Sequence, residues 1–247
     1  MRILLTNDDG YDSEGLHAVA DLFCGEHDLA VVAPNTQKSG YSHSLSMNTP
    51  VSYRRADGYD YPVYALDGTP VDCVKFAYTR LFPSPDIVIS GINRGRNVGS
   101  DIMYSGTVSA ASEGAYLGMR SFALSLYKND PDGADWKRCA KIFKDNFEAF
   151  CAVDLPVGTL LNINFPFGEP VGIKLAKMGI CRAFDDAFNP HTGGYLYKGT
   201  LRPEPSADSD EMYCGKGYVT VTPLTIDRTD YATLSKLEKL MAETFKI

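Results

Sequence analysis

No Cys-x-x-Cys pair occurs in the sequence, so the six cysteines, at positions 24, 73, 139, 151, 181 and 214, offer neither a zinc ribbon nor a dithiol redox site. They read as scattered reduced thiols. A run of the roughly 18 to 20 apolar residues that a spanning helix needs is also missing, and the opening MRILLTNDDG turns acidic where a signal peptide stays apolar. The expectation is an unprocessed cytoplasmic protein with no membrane segment. Positive charge is short: 24 Lys and Arg against 31 Asp and Glu leave a net charge of −7, which argues against stable nucleic-acid binding through a broad basic surface. A polyanionic substrate would then need local positive charge, such as a metal. Internal repeats and low-complexity segments are absent as well.

What remains is ordinary globular material. The chain has 247 residues, 44% of them hydrophobic and 22% charged, enough to bury about three quarters of its unfolded surface without staples. Arg2 to Thr6 and Leu29 to Ala33 are unalternating apolar runs, as in strands covered on both faces. Between them Glu14 to Phe23 keeps helical spacing, with Ser13 placed to cap it. Pieces near Val51 to Arg55 and Tyr61 to Leu66 flank an Ala56-Asp57-Gly58 turn and predict a hairpin. Thr69-Pro70-Val71-Asp72 has the chemistry of a helix start and predicts a helix to about Leu81. Further strands are expected at Asp86 to Ser90, Ser121 to Leu126, Leu160 to Phe165 and Tyr218 to Thr222. Further helices are expected over Thr107 to Leu117, Trp136 to Phe150 and Asp230 to Phe245. This alternation predicts an α/β fold with a Rossmann-like, doubly wound, mostly parallel sheet in three layers. Residues 1–183 would form the core. Residues 184–247 would add an arm, a returning strand and a terminal helix, and Phe184 to Lys216 reads as an excursion outside the core because turn residues interrupt every apolar run.

In such sheets ligands bind beyond the carboxyl ends of the strands. There the chain places Asn7-Asp8-Asp9-Gly10, Lys38-Ser39-Gly40 and the stretch Gly91 to Gly99. Two carboxylates, a hydroxyl and carboxamides are oxygen donors, which suit Mg²⁺, Mn²⁺ or Ca²⁺ and not zinc. Adjacent aspartates repel unless a cation neutralises them; the competing reading is a pair of turn formers. Gly91 to Gly99 fits neither G-x-G-x-x-G nor a P-loop. Tyr104-Ser105-Gly106-Thr107 opens a helix, and a helix start is an anion site or a simple cap. GYSHS around Ser42-His43 lacks the G-x-S-x-G elbow of a serine hydrolase. His17, His27 and His191 read as surface positions, and His43 as a hydrogen-bonding loop residue.

Taken jointly, these motifs resemble the SurE family of stationary-phase survival proteins, metal-dependent nucleotidases. The resemblance rests on Asn7-Asp8-Asp9-Gly10, Ser39 with His43-Ser44, Gly68-Thr69-Pro70-x-Asp72-Cys73, Ser90-Gly91-Ile92-Asn93-Arg94-Gly95-x-Asn97, Tyr104-Ser105-Gly106-Thr107-Val108 with Glu113-Gly114, and Gly217-Tyr218-Val219-x-Val221-Thr222-Pro223-Leu224. It implies one divalent metal, magnesium or manganese, held by Asp8, Asp9, Ser39 and Asn93, with Asn97, Ser105, Gly106 and Thr107 on the phosphoryl group. It implies hydrolysis of nucleoside 5′-monophosphates, with 3′-monophosphates and short polyphosphate as further substrates, and Asp9 is favoured over Asp8 as the base. It also implies a homodimer or tetramer with an exchanged C-terminal arm. Arg96, Ser42 and Arg120 depart from the family pattern, and Arg96 is expected to add a phosphate contact or narrow the pocket. A phosphoaspartate mechanism spaces its aspartates D-x-D, unlike Asp8 and Asp9. A non-catalytic nucleotide-binding module is the rival from another class.

Overall fold

The structure, a computed structural model, describes residues 1–128, 130–180, 184–185, 188–197, 200–201 and 206–244. The chain begins β1 (Arg2–Thr6), α1 (Glu14–Phe23), β2 (Asp28–Pro34), β3 (Tyr53–Ala56), β4 (Val63–Leu66), α2 (Pro70–Phe76), β5 (Ile87–Arg94), α3 (Gly106–Tyr116) and β6 (Arg120–Leu126). It continues α4 (Gly133–Ala152), β7 (Thr159–Phe165), β8 (Gly172–Leu175), β9 (Phe184–Asp185), β10 (Phe188–His191), β11 (Gly194–Tyr197) and β12 (Thr200–Leu201), and closes with α5 (Asp210–Gly215), β13 (Tyr218–Thr225) and α6 (Tyr231–Thr244).

One nine-stranded sheet runs β3-β4-β2-β1-β5-β6-β7-β13-β8. The six strands from β4 to β7 are mutually parallel. The exceptions lie toward the ends: β3 is antiparallel to β4, and β13 is antiparallel to β7 but parallel to β8. Chain order reverses direction at β1, which has β2 on one side and β5 on the other. The expected three-layer, doubly wound architecture is therefore present, and it places the ends of β1 and β5 at the switch point.

The buried runs foreseen as strands are the centre of the sheet because both faces are covered. On one face Phe23 of α1 meets Phe147 of α4 edge to face at 4.8 Å, and Phe143 packs on Phe122 of β6 at 5.3 Å. Truncating a fully buried ring such as Phe143 to alanine removes about 3–5 kcal/mol. On the other face α2 and α3 cover Leu4, Val32 and Val88. The helix start at Thr69 is a full capping box: its hydroxyl accepts from the Asp72 amide at 3.1 Å, and its own amide donates to Asp72 Oδ2 at 2.8 Å. Residues Ala77–Leu81 continue α2 as one π-helical turn.

Several expectations need correction. Ser13 stands at the N-cap of α1, but its hydroxyl caps nothing and instead receives the Asn7 amide at 2.5 Å. His17 is half-buried, with its ring nitrogens 2.8 Å from Tyr61 Oη and from the Tyr11 carbonyl, because the α1 face beneath the β3–β4 hairpin is covered. Gly91 to Arg94, read as loop, continues β5 across a register shift between Ser90 and Asn93. The stretch from Phe184 to Lys216 is not wholly outside the core. Its first half carries the β10–β11 hairpin, but Asp210, Glu211 and Cys214 of α5 are buried against the sheet. Polar side chains with good partners hid that burial from the apolar pattern. Cys181 and the expected end of the terminal helix at Phe245 lie outside the described residues. Among those residues, no helix is long and apolar enough to cross a membrane.

Candidate active site

Parallel pairing of β1 with β2 and β5 brings the three loops foreseen from the sequence to one edge. The Asn7 carboxamide folds the β1 loop by accepting from the Gly10 amide at 3.2 Å and donating to its carbonyl at 2.9 Å. This turn fixes Asp8 and Asp9, whose side chains diverge. Asp8, only 4% exposed, accepts a 2.5 Å hydrogen bond from the Thr107 hydroxyl at the start of α3. Asp9 Oδ2 accepts from the Arg94 amide at the end of β5 at 2.9 Å. Adjacent carboxylates thus fasten to opposite walls, which a D-x-D phosphoaspartate site does not require.

Ser39 joins through Gln37, whose amide donates to Ser39 Oγ at 2.9 Å and to Asp9 Oδ1 at 3.4 Å. The backbone of the same loop is held by Lys38, whose amide donates to the Asp8 carbonyl at 2.7 Å. Asn93 gives its amide to the Gly95 carbonyl at 2.8 Å, a bond that does not use the carboxamide oxygen. Ser105 caps α3 by accepting from the Val108 amide at 3.1 Å. Gly106 is where α3 touches the β1 loop: a Cβ there would lie 2.8 Å from Asp8 Cβ and Oδ2.

The electrostatics of the pair are unfavourable without a cation. Burial, with a smaller push from the Asp9 charge, lifts the Asp8 carboxyl to about 6 against the Thr107 hydrogen bond. Burial likewise raises Asp9, opposed by the Arg94 amide. Two crowded carboxylates beside a hydroxyl and an amide oxygen form an all-oxygen donor set, which fits a hard divalent ion. No group of three or more His, Cys, Asp or Glu with metal geometry occurs among the described residues, so a soft-metal centre has no counterpart there.

Asn97 is present but deeply set, with its amide donating to Ser125 Oγ at 2.8 Å, a bond that uses one of the two hydrogens of that nitrogen. Arg96, expected to add a phosphate contact or narrow the pocket, has its described partners within the protein. It lies 3.4 Å from Glu211 and 3.7 Å from Asp101, over the Tyr127 ring. Burial raises both of those acids, and the guanidinium is the cation that opposes it. Arg96→Ala is expected to lower stability by about 3 kcal/mol by stranding these carboxylates while KM stays put. A thermal melt beside steady-state kinetics checks this, and an altered KM with an unchanged melt would return Arg96 to the substrate.

Sequence reasoning passed over three features. Gln37 bridges two loops. Glu113, 4% exposed, is shared by His43 at 2.9 Å and Lys75 at 2.6 Å, which holds the loop carrying His43 against α3. Asn162 and Asn164 bind Asn97 from below. The last pair left a signal: asparagines alternating with Leu161, Ile163 and Phe165 in a strand covered on both faces.

The family model described as Survival protein SurE matches residues 3–186. A protein named 5′-nucleotidase SurE from Pelotomaculum thermopropionicum is 40% identical over 260 residues, which cover 100% of this chain and 97% of the relative. Another of that name from Clostridium beijerinckii is 38% identical over 250 residues, covering 97% and 99%. The crystal structure of the SurE protein from Aquifex aeolicus aligns with a TM-score of 0.83 at 35% identity, over 96% of this chain and 98% of that one. With the Asp8-Asp9, Ser39, Asn93 and Ser105 motifs at one sheet edge and the similarity running the length of the chain, this protein belongs to the SurE family.

Proposed function

We propose that the protein is a divalent-metal-dependent phosphomonoesterase that hydrolyses nucleoside 5′-monophosphates to nucleoside and phosphate, with 3′-monophosphates and short polyphosphate as further substrates. The observation that carries this reading is the convergence of Asp8, Asp9 and the α3 start at the switch point of the sheet. Relatives similar along the whole chain are named 5′-nucleotidase. Asp8, Asp9, Ser39 Oγ and Asn93 Oδ1 would hold one Mg²⁺ or Mn²⁺. That ion supplies Lewis-acid polarisation of the phosphoryl group and acidifies water.

The protein's own groups do the rest. Ser105 to Thr107 present the positive end of α3 to the phosphoryl oxygens, and Asn97 adds an amide donor. Asp9 is the carboxylate that takes the proton of the attacking water, because it is half-buried and within reach of solvent, whereas Asp8 is closed in against Thr107. The test is release of inorganic phosphate from AMP and GMP with Mn²⁺, and its loss in excess chelator. Absence of turnover with every divalent ion would leave only a nucleotide-binding module.

The reading places the enzyme in the cytoplasm as a homodimer or tetramer. Tyr231, Leu234 and Leu237 of α6 repeat every third residue and are 63%, 42% and 47% exposed. On the hairpin Phe188 and Tyr195 are 70% and 73% exposed. A second copy would cover both. Removing Phe188 to Tyr197, but not α5, is expected to lower the assembly state seen by light scattering, as is Leu237→Asp. A monomeric wild type at micromolar concentration defeats the idea.

A further inference from the structure

Strand β7 carries no residue of the metal set, yet two of its six buried positions are polar. Leu161, Ile163 and Phe165 join the core on the α1–α4 side, while Asn162 and Asn164, both 0% exposed, project to the α3 side. Buried carboxamides need partners; one residue supplies three bonds to the pair, and only Asn162 Oδ1 is left without a protein partner among the described residues. Asn164 Oδ1 accepts from the Asn97 amide at 2.8 Å, and its Nδ2 donates to the Asn97 carbonyl at 3.0 Å. Asn162 Nδ2 donates to the same carbonyl at 2.8 Å. Ser125 of β6, in register with Asn164, receives the Asn97 side chain.

Four hydrogen bonds from two strands therefore fix both the peptide and the carboxamide of Asn97. Pairing with its N–H and C=O together sets the rotation of the residue as well as its position. The Ser125 contact then leaves the remaining side-chain N–H a single direction. We propose that Asn164, assisted by Asn162, is a positioning residue that pre-sets Asn97 as a phosphoryl-oxygen donor, an inference that rests on the reading of Asn97 as a phosphate contact. A donor held in place before the ligand arrives needs no reorganisation when charge develops. Strands β6 and β7, which contribute nothing to the metal set, thereby take part in substrate binding.

Inorganic phosphate is the probe, titrated calorimetrically into the Mn²⁺-loaded enzyme. Asn97→Ala and Asn164→Ala are each expected to weaken phosphate binding about tenfold, equivalent to about 1.4 kcal/mol. Asn162→Ala, which removes one of the two donors at the Asn97 carbonyl, should shift it less in the same direction, and it stands in if Asn164→Ala does not fold. The Asn97→Ala/Asn164→Ala double variant should bind no more weakly than Asn97→Ala alone, because the clamp acts through that side chain. Thr222→Val, in register with Asn162 but without a bond to Asn97, should bind as wild type. Unchanged binding in Asn97→Ala removes the phosphate reading and the proposal with it. Weaker binding in Asn97→Ala alone, with both β7 variants unaffected, overturns the clamp and spares that reading. Additive losses in the double variant, or an equal loss in Thr222→Val, reduce β7 to a general structural role and also overturn it.

Discussion

Asp8→Asn is expected to lower turnover about a thousandfold or more, the scale on which a site loses catalysis when a main electrostatic group is removed, while the metal-free fold stays at least as stable. The two halves of this result come from the same geometry. Asp8 is 4% exposed, and burial holds its carboxyl near 6, so its charge strains the metal-free protein. Asparagine has the same size and still accepts from Thr107, but it brings no charge to the ion. The melting temperature without metal should therefore hold or rise. Mn²⁺ should raise the melting temperature of wild type by mass action and leave that of Asp8→Asn unmoved. Wild-type activity in Asp8→Asn would end the metal reading, whatever the melts show.

Gly106→Ala is expected to lower kcat/KM about a hundredfold, and here two arguments point in opposite directions. Alanine is favoured over glycine by about 1 kcal/mol in a helix interior and by less at a first helical position such as Gly106, so helix propensity alone predicts a harmless or stabilising change. The added Cβ, however, would sit 2.8 Å from Asp8 Cβ and Oδ2, a separation that carbon atoms do not tolerate. Asp8 must move, and its Thr107 hydrogen bond must break or tilt. Displacement of a catalytic group by about 1 Å suffices for a hundredfold loss. Steady-state kinetics and inhibition by free phosphate read the outcome. Unaltered values for both would mean that the close approach of α3 to the β1 loop has no bearing on the reaction.

Much of this arrangement was legible in the chain because local chemistry and global fold agree. The capping box at Thr69 and Asp72, the apolar runs of β1, β2 and β5, and the Ser105 cap each declare themselves within a few residues. Topology then gathers Asp8, Ser39 and Asn93 without further instruction. The parts that escaped are long-range polar ones. Asp210 accepts from the amides of Gly99, Gly179 and Glu211 at 3.0, 3.0 and 2.8 Å, partners far away in sequence except the last, so no window around it suggests burial. The pairing of Arg96 with Glu211 escaped for the same reason, since Glu211 lies outside any local window around it. Hydrophobic periodicity finds side chains buried by their own nature and misses those buried by their partners.

The position of β13 bears on how the chain acquires its fold. Strands β1 to β7 each find a partner within the first seven strands, but among the described residues β8 has β13 as its sole sheet neighbour, and β13 lies between β8 and β7. Residues of β8 must therefore wait, unzipped, while the hairpin and α5 are synthesised. Until Tyr218–Thr225 arrives, β7 is an exposed edge carrying two carboxamides and unpaired backbone groups, a surface prone to mispairing. The last of these strands closes the sheet late, so the β7 edge beside the Asn97 platform is covered only after the metal-facing loops already have their frame.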